Sequence, residues 1–202
     1  MSRFLVGITG GLASGKSTLV RRLGEAGFHV IDADRVVADL YAPGGAGAQA
    51  LADLLGPQVL DENGAVHKPT VGSLIFSQPD MKKKVEAAIH PLVHRRFGEM
   101  AAELDGVIVY EATLLVESGN SKAFDLTISV EADDSRRLKW AVARGMTEDD
   151  AKARLAAQGD GNTRRQGVDR ILRNDGELED FHRDIDALIN ELRQIDTAKK
   201  AS

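Results

Sequence analysis

The stretch Gly10-Gly11-Leu12-Ala13-Ser14-Gly15-Lys16-Ser17 constrains this chain more than any other. It fills the template G-x-x-x-x-G-K-[ST] at every fixed position. Phe4 to Thr9 is a short apolar run, suited to a buried parallel strand. Beyond the loop, Leu19, Val20 and Leu23 recur at helical spacing and Gly27 closes the helix. Strand, glycine bend and helix in this order make an anion cradle. Glycines bring backbone N–H groups close to a ligand, and the helix N-terminus adds partial positive charge. Lys16 is placed to reach β- and γ-phosphates, and the Ser17 hydroxyl to ligate Mg²⁺. The stretch implies binding of a nucleoside triphosphate. Alone it does not separate a kinase from a GTPase, a motor or a nucleotide-gated interaction module.

With 202 residues, 43% of them hydrophobic, the chain can bury one substantial core, with smaller parts appended. A net charge of −5 argues against nucleic acid as the main partner. The absence of cysteine excludes disulfides, thiol catalysis and cysteine-ligated metal. The N-terminal apolar run is too short for a membrane span and leads directly into the loop, so the expectation is a cytoplasmic protein that does not engage a membrane.

Phe28 to Ile31 reads as a second strand ending in Asp32-Ala33-Asp34. If the strand continues through them, both carboxylates lie on one side, at the sheet edge where ligands of open α/β sheets bind. There they suit water-mediated Mg²⁺ binding and proton removal from a hydroxyl nucleophile. Equally, Asp34 suits the cap of a helix over residues 35–41. After a glycine-rich break at 43–47, residues 48–55 read as a short helix and Asp61 to Gly64 as a turn. Residues 69–104 read as helical, broken at Pro79 and at His90-Pro91. This stretch is far longer than an ordinary crossover and reads as a helical insertion for an acceptor.

Residues 107–110 and 126–130 read as further strands, with Glu111 either aimed at the phosphates from the first one's end or an acidic residue of an ordinary loop. A helix from Asp133 to Arg144, Gly145, and a second helix opened by Thr147-Glu148-Asp149-Asp150 resemble an arginine-bearing lid; the alternative is a surface hairpin. Residues 158–166 read as a loop, 169–173 as a last strand, and Leu178, Phe181, Ile185, Leu188, Ile189 and Leu192 as the apolar face of a C-terminal helix before a frayed tail from Thr197.

No guanine-reading Asn-Lys-x-Asp occurs, and the small size, D-x-D, insertion and hairpin favour a small-molecule kinase. The order of Thr9 to Thr18, Val30-Ile31-Asp32-Ala33-Asp34, His90-Pro91-Leu92, Leu114 to Glu117 and Asp169 to Gly176 resembles the dephospho-CoA kinases from about Phe4 to Leu192. That resemblance implies an α/β P-loop fold: a parallel sheet flanked by helices, core at about 1–42, 105–135 and 165–202, a helical acceptor region at about 43–104 and a lid at about 136–164. It implies ATP-dependent phosphorylation of the ribose 3′-hydroxyl of dephospho-CoA, by a monomer or small homo-oligomer. The catalytic residues are then Asp34, Lys16 and Arg144. ATP would be held by Gly10, Gly11, Leu12, Ala13, Ser14, Gly15, Lys16, Ser17 and Thr18, with Asn174 and Gly176 by its adenine. Acceptor contacts would come from Thr9, Asp34, His90, Glu111 and Leu114, and Mg²⁺ would sit with Ser17 and Asp32.

Four positions depart from the family pattern. Ala13 replaces a common glycine, a change that negative φ would tolerate. Glu111-Ala112-Thr113 stands for Asp-x-Pro, and Trp140 for an arginine one turn before Arg144. The rival readings are a kinase of another small hydroxyl acceptor, such as a nucleoside or nucleotide, and a non-catalytic ATP-gated module.

Overall fold

A continuous apolar run buries β1 (Arg3–Gly10) in a sheet whose strand order is β2-β3-β1-β4-β5. The computed structural model describes residues 2–77 and 79–200. The other strands are β2 (His29–Asp32), β3 (Gly106–Glu111), β4 (Leu126–Glu131) and β5 (Arg170–Arg173). β1 pairs in parallel with β3 on one side and β4 on the other, and β4 with β5. The chain thus leaves β1 in one direction, returns as β3, and crosses to the far side as β4. A loop following β1 lies at this reversal of strand order, where open α/β sheets receive ligands.

Two compact units divide the chain: residues 1–31 with 104–202, and residues 32–103. In the first, Val6, Ile8, Val107, Val109, Ile128 and Val130 meet Leu19 and Leu23 of α1 (Lys16–Glu25). Phe181, Ile185, Leu188 and Leu192 of α9 (Leu178–Lys200) complete this core. Each such side chain contributes about 1.5–3 kcal/mol by leaving water. An exposed helical ion pair such as Arg21–Glu25 contributes only about 0.3–0.5 kcal/mol. The core therefore fixes where the loop between β1 and α1 sits. Leu178, expected on the apolar face, is 57% exposed because it opens the helix beyond the sheet's cover. The helix runs on through Thr197 to Lys200 rather than fraying there; Ala201 and Ser202 lie outside the described residues.

The second unit comprises α2 (Ala33–Leu40), α3 (Ala46–Leu55), α4 (Lys68–Ser77) and α5 (Pro79–Ala102) around Leu51, Val59, Val66, Val71, Val85 and Ile89. The break expected at Pro79 falls between α4 and α5, where Gln78 lies outside the described residues. The break expected at His90-Pro91 is absent: α5 passes through Pro91. Proline there forfeits one helical hydrogen bond and crowds the preceding turn. Val85 and Ile89 before it and Leu92 and Val93 after it pack on one core, and this burial holds the helix together across the fault.

The remaining helices belong to the first unit: α6 (Asp134–Ala143), α7 (Glu148–Ala157) and α8 (Asn162–Gln166). Thr147 caps α7 by accepting the Asp150 N–H at 3.2 Å, while its own hydroxyl donates to the Asp150 carboxylate at 2.7 Å. Helix α8 occupies what the sequence presents as a loop. Its residues are polar because Arg164 is fixed by charge rather than by apolar packing.

Candidate active site

Between β1 and α1 the backbone turns through Gly11 to Gly15, and Gly15 caps α1 at φ +108° with no side-chain hydrogen bond. The first amides of the helix are therefore free of a capping side chain and open to an anion. Gly15 is required twice over. Its φ disfavours a side chain, and a Cβ would lie 2.5 Å from the Asn174 amide nitrogen. At Gly11 a Cβ would collide with the Arg137 guanidinium.

Ala13 overturns one expectation. Its φ is +55°, left-handed rather than negative, and among the described residues it is the one non-glycine with positive φ. The loop imposes the conformation that glycine would adopt freely, at a cost of about 1–2 kcal/mol.

Side chains from α6, the end of α7 and the end of β5 hold the loop in place. Arg137, 4% exposed, donates through Nε to the Leu12 carbonyl at 2.9 Å. The Gln158 side-chain oxygen accepts the Leu12 N–H at 2.9 Å and Arg137 Nη2 at 2.6 Å. Asn174 Nδ2 donates to the Ser14 carbonyl at 3.0 Å. Burial lowers the pKa of Arg137, against the opposing charge of Asp134, its partner at 2.9 Å. Arg137, which the sequence leaves as one of several hairpin arginines, is thus a buried loop brace. Only its i, i+3 spacing from Asp134 hints that it is not solvated. Gln158 caps the end of α7.

A cavity of about 490 Å³ opens over the loop, lined by Gly10 to Ser17 and walled by Thr113, Arg144, Arg154 and Gln158. Lys16 is ion-paired with Glu111 at the end of β3, so the expected acceptor contact Glu111 is engaged with the loop lysine. Thr9 has no exposed surface, and its hydroxyl donates to the Thr113 carbonyl at 2.9 Å, supporting the turn after β3. Leu114 in that turn is 61% exposed, whereas Leu115 is buried. Ser17 is exposed, and its hydroxyl has no hydrogen-bond partner among the described residues. The Ser14 hydroxyl is buried without a partner. Asn174 is buried behind the loop, and the Gly176 carbonyl accepts from Arg136 Nη1 at 2.8 Å.

In the second unit, strand β2 ends at Asp32, so the shared-side alternation of Asp32 and Asp34 does not arise. Asp32, not Asp34, is the helix cap: its carboxylate accepts the Asp34 N–H at 2.8 Å. Asp34 sits exposed in the first turn of α2, and its carboxylate has no partner among the described residues. His90 is half-buried within α5. Among the described residues no cluster of three or more His, Asp or Glu side chains forms a metal site.

Behind these features stands one buried ion pair of the first unit. Glu131, ending β4, accepts Arg164 Nε at 2.8 Å and the Ser129 hydroxyl at 2.5 Å. Burial alone would raise its pKa. The hydrogen bonds from Arg164 and Ser129 and the charges of Arg164 and Arg165 outweigh that and lower it. Thr127 hydrogen bonds likewise lower the pKa of Asp169, which joins β4 to the start of β5.

A phosphate cradle at the strand-order reversal, a loop lysine and arginines over one cavity define a P-loop phosphotransferase of the small-kinase type. The dephospho-CoA kinase family model matches residues 4–180, and the chain belongs to that family. It is 40% identical over 181 residues to the dephospho-CoA kinase of Streptomyces avermitilis, covering 88% of each chain. It is 34% identical over 192 residues to that of Corynebacterium glutamicum, covering 93% of this chain and 96% of the relative. The crystal structure of TT1252 from Thermus thermophilus superposes with a TM-score of 0.80 at 30% identity, over 95% of this chain and 99% of that one.

Proposed function

We propose that this chain transfers the γ-phosphoryl group of ATP to the ribose 3′-hydroxyl of dephospho-CoA, giving coenzyme A and ADP, the last step of coenzyme A synthesis. The observation that carries this reading is the braced loop with Lys16 at its mouth, facing a cavity walled by Arg144 and Arg154, in a chain of this family. Backbone amides at the start of α1 hold the β- and γ-phosphates. Lys16 and Arg144 offset charge that spreads onto the transferring group, and positioning with electrostatics supplies most of the rate. The acceptor 3′-oxygen forms the new bond to phosphorus as the bond to the β–γ bridging oxygen breaks, and ADP departs.

Asp34 takes the proton of that hydroxyl: it is exposed and unpartnered, whereas Asp32 spends one oxygen on its cap. Ser17 and Asp32 would hold Mg²⁺; the free, exposed hydroxyl of Ser17 suits an oxygen-seeking cation that keeps much of its water. When bound, the ion neutralises triphosphate charge. His90, in α5 of the helical unit, and the exposed Leu114 are acceptor contacts. Among the described residues no helix is long and apolar enough to cross a membrane. With a net charge of −5, the reading includes neither nucleic acid nor membrane as partner, and places a monomer or small homo-oligomer in the cytoplasm.

The test is a steady-state assay with Mg-ATP and dephospho-CoA, with the product identified by mass. A gain of one phosphate on dephospho-CoA supports the reading. No turnover with it, but turnover with a nucleoside or nucleotide, rejects the acceptor; ATP binding without transfer to any acceptor rejects the activity.

A further inference from the structure

A second cavity of about 390 Å³ opens beside the first and shares Ala13, Gly15 and Arg144 with it. Trp140, the chain's single tryptophan, lines this second space together with Asn174, Gly176 and Leu178. The indole is half-buried on α6, and among the described residues it has neither a ring partner nor a hydrogen bond. A large aromatic face lying open in a cavity is a stacking platform. Two polar groups of the opposite wall are already engaged. Asn174 Nδ2 donates to the Ser14 carbonyl, and the Gly176 carbonyl accepts from Arg136. That wall also offers a flat ring apolar surface, with Leu178 at 57% exposure beside Glu177.

Resting on the function proposed above, we propose that Trp140 stacks on the nucleobase of the phosphoryl donor and makes donor choice depend on ring size. The donor is favoured over the adenine of dephospho-CoA because this cavity is continuous with the phosphate loop through Ala13 and Gly15. A purine, with two fused rings, overlaps the indole more fully than a pyrimidine does. The arginine usual at this position would add charge to the phosphate clamp; the indole instead adds contact area to the base side of the site.

Because the chain has one tryptophan, its emission reports on this position alone. Emission is titrated with ADP, with inorganic tripolyphosphate and with dephospho-CoA, on the full chain. ADP is expected to quench it, tripolyphosphate to leave it nearly unchanged, and dephospho-CoA to have no effect without bound nucleotide. In turnover, W140L is expected to raise KM for ATP about 5- to 100-fold with a smaller fall in kcat, and W140F to recover most of the loss. The advantage of ATP and GTP over CTP should shrink in W140L and persist in W140F. Quenching by dephospho-CoA but not ADP, equal quenching by tripolyphosphate, or an unchanged KM in a W140L protein of parental circular dichroism each overturns the inference. If ADP quenches while dephospho-CoA is not phosphorylated, the acceptor reading fails and the stacking role stands.

Discussion

Arg137 Nε donates to the carbonyl of Leu12 at 2.9 Å, tying α6 to the centre of the phosphate loop. The same guanidinium holds Gln158, whose oxygen takes the Leu12 N–H, so both backbone polar groups of one loop residue are bound by side chains from outside the loop. A glycine-rich bend is entropically costly to order. These contacts order it before nucleotide arrives, which makes binding tighter because less freedom remains to be lost.

Replacing Arg137 tests that bracing. In Arg137→Ala the Leu12 carbonyl loses its donor, and a hydrogen bond to a charged group contributes about 1.5–3 kcal/mol. Thermal unfolding should shift down accordingly, and KM for ATP should rise about tenfold or more. Arg137→Lys should recover little, since an ammonium does not reproduce the forked geometry that meets Leu12, Gln158 and Asp134 together. A variant that melts and binds ATP like the parent would show that the loop keeps its shape unaided.

The backbone of Ala13 carries strain that can be released. At φ +55°, Ala13→Gly removes a steric cost of about 1–2 kcal/mol and adds back roughly 0.5–1 kcal/mol of unfolded-state freedom. A net gain of about 0.5–1 kcal/mol in denaturant unfolding is expected, with ATP binding unimpaired. Ala13→Val should do the reverse, because a β-branched residue tolerates positive φ poorly. Equal stability of all three proteins would mean that the loop takes another conformation in solution.

The two proposed chemical roles separate in kinetics. Asp34→Asn should leave ATP affinity nearly intact and lower kcat by about 10²–10⁴-fold, the range of general-base catalysis. Lys16→Ala should weaken both affinity and turnover, because its ammonium acts on bound and transferring phosphates alike. Direct ADP binding by calorimetry beside single-turnover rates distinguishes the two. A fully active Asp34→Asn enzyme removes the base assignment.

How much of this was legible follows from which interactions are local. The phosphate loop, the strands around it and the apolar face of α9 are written in spacing, and so they were readable from Gly10 to Ser17 and from Phe181 to Leu192. Asp32 as the cap of α2 was not, because choosing between Asp32 and Asp34 requires knowing where the strand stops. The unbroken run of α5 through Pro91 depends on tertiary packing of Ile89, Leu92 and Val93, which overrides the local penalty. Arg137 and Arg164 do not stand out in the sequence, since burial of an arginine depends on partners 125 and 33 residues away in the chain, Leu12 and Glu131. The bond from the Thr9 hydroxyl to the Thr113 carbonyl was not legible either, because it joins residues 104 apart in the chain.

Glu131 gives the chain a specific acid sensitivity. Its pKa in the folded protein lies below the ordinary 4.5, because the Arg164 and Ser129 hydrogen bonds and the neighbouring arginine charges outweigh burial. A carboxylate with a depressed folded pKa stabilises the fold at pH above its unfolded value, and that contribution fades as pH falls through the folded one. Melting temperature should therefore decline below about pH 4.5, with Asp169 and Glu191, also depressed, adding to the slope. Glu131→Gln leaves Arg164, at 2% exposure, with Glu117 at 3.6 Å as a counter-charge and the like charges of Arg165 and Arg137 nearby. It should cost about 3 kcal/mol at neutral pH, as breaking a buried pair does. The gap between parent and variant should then narrow as pH is lowered from 7 toward 3, because the parent loses what the variant already lacks. Melting curves of both proteins across that range check this, and a gap that stays constant would mean that Glu131 does not ionise with a depressed pKa in the folded chain.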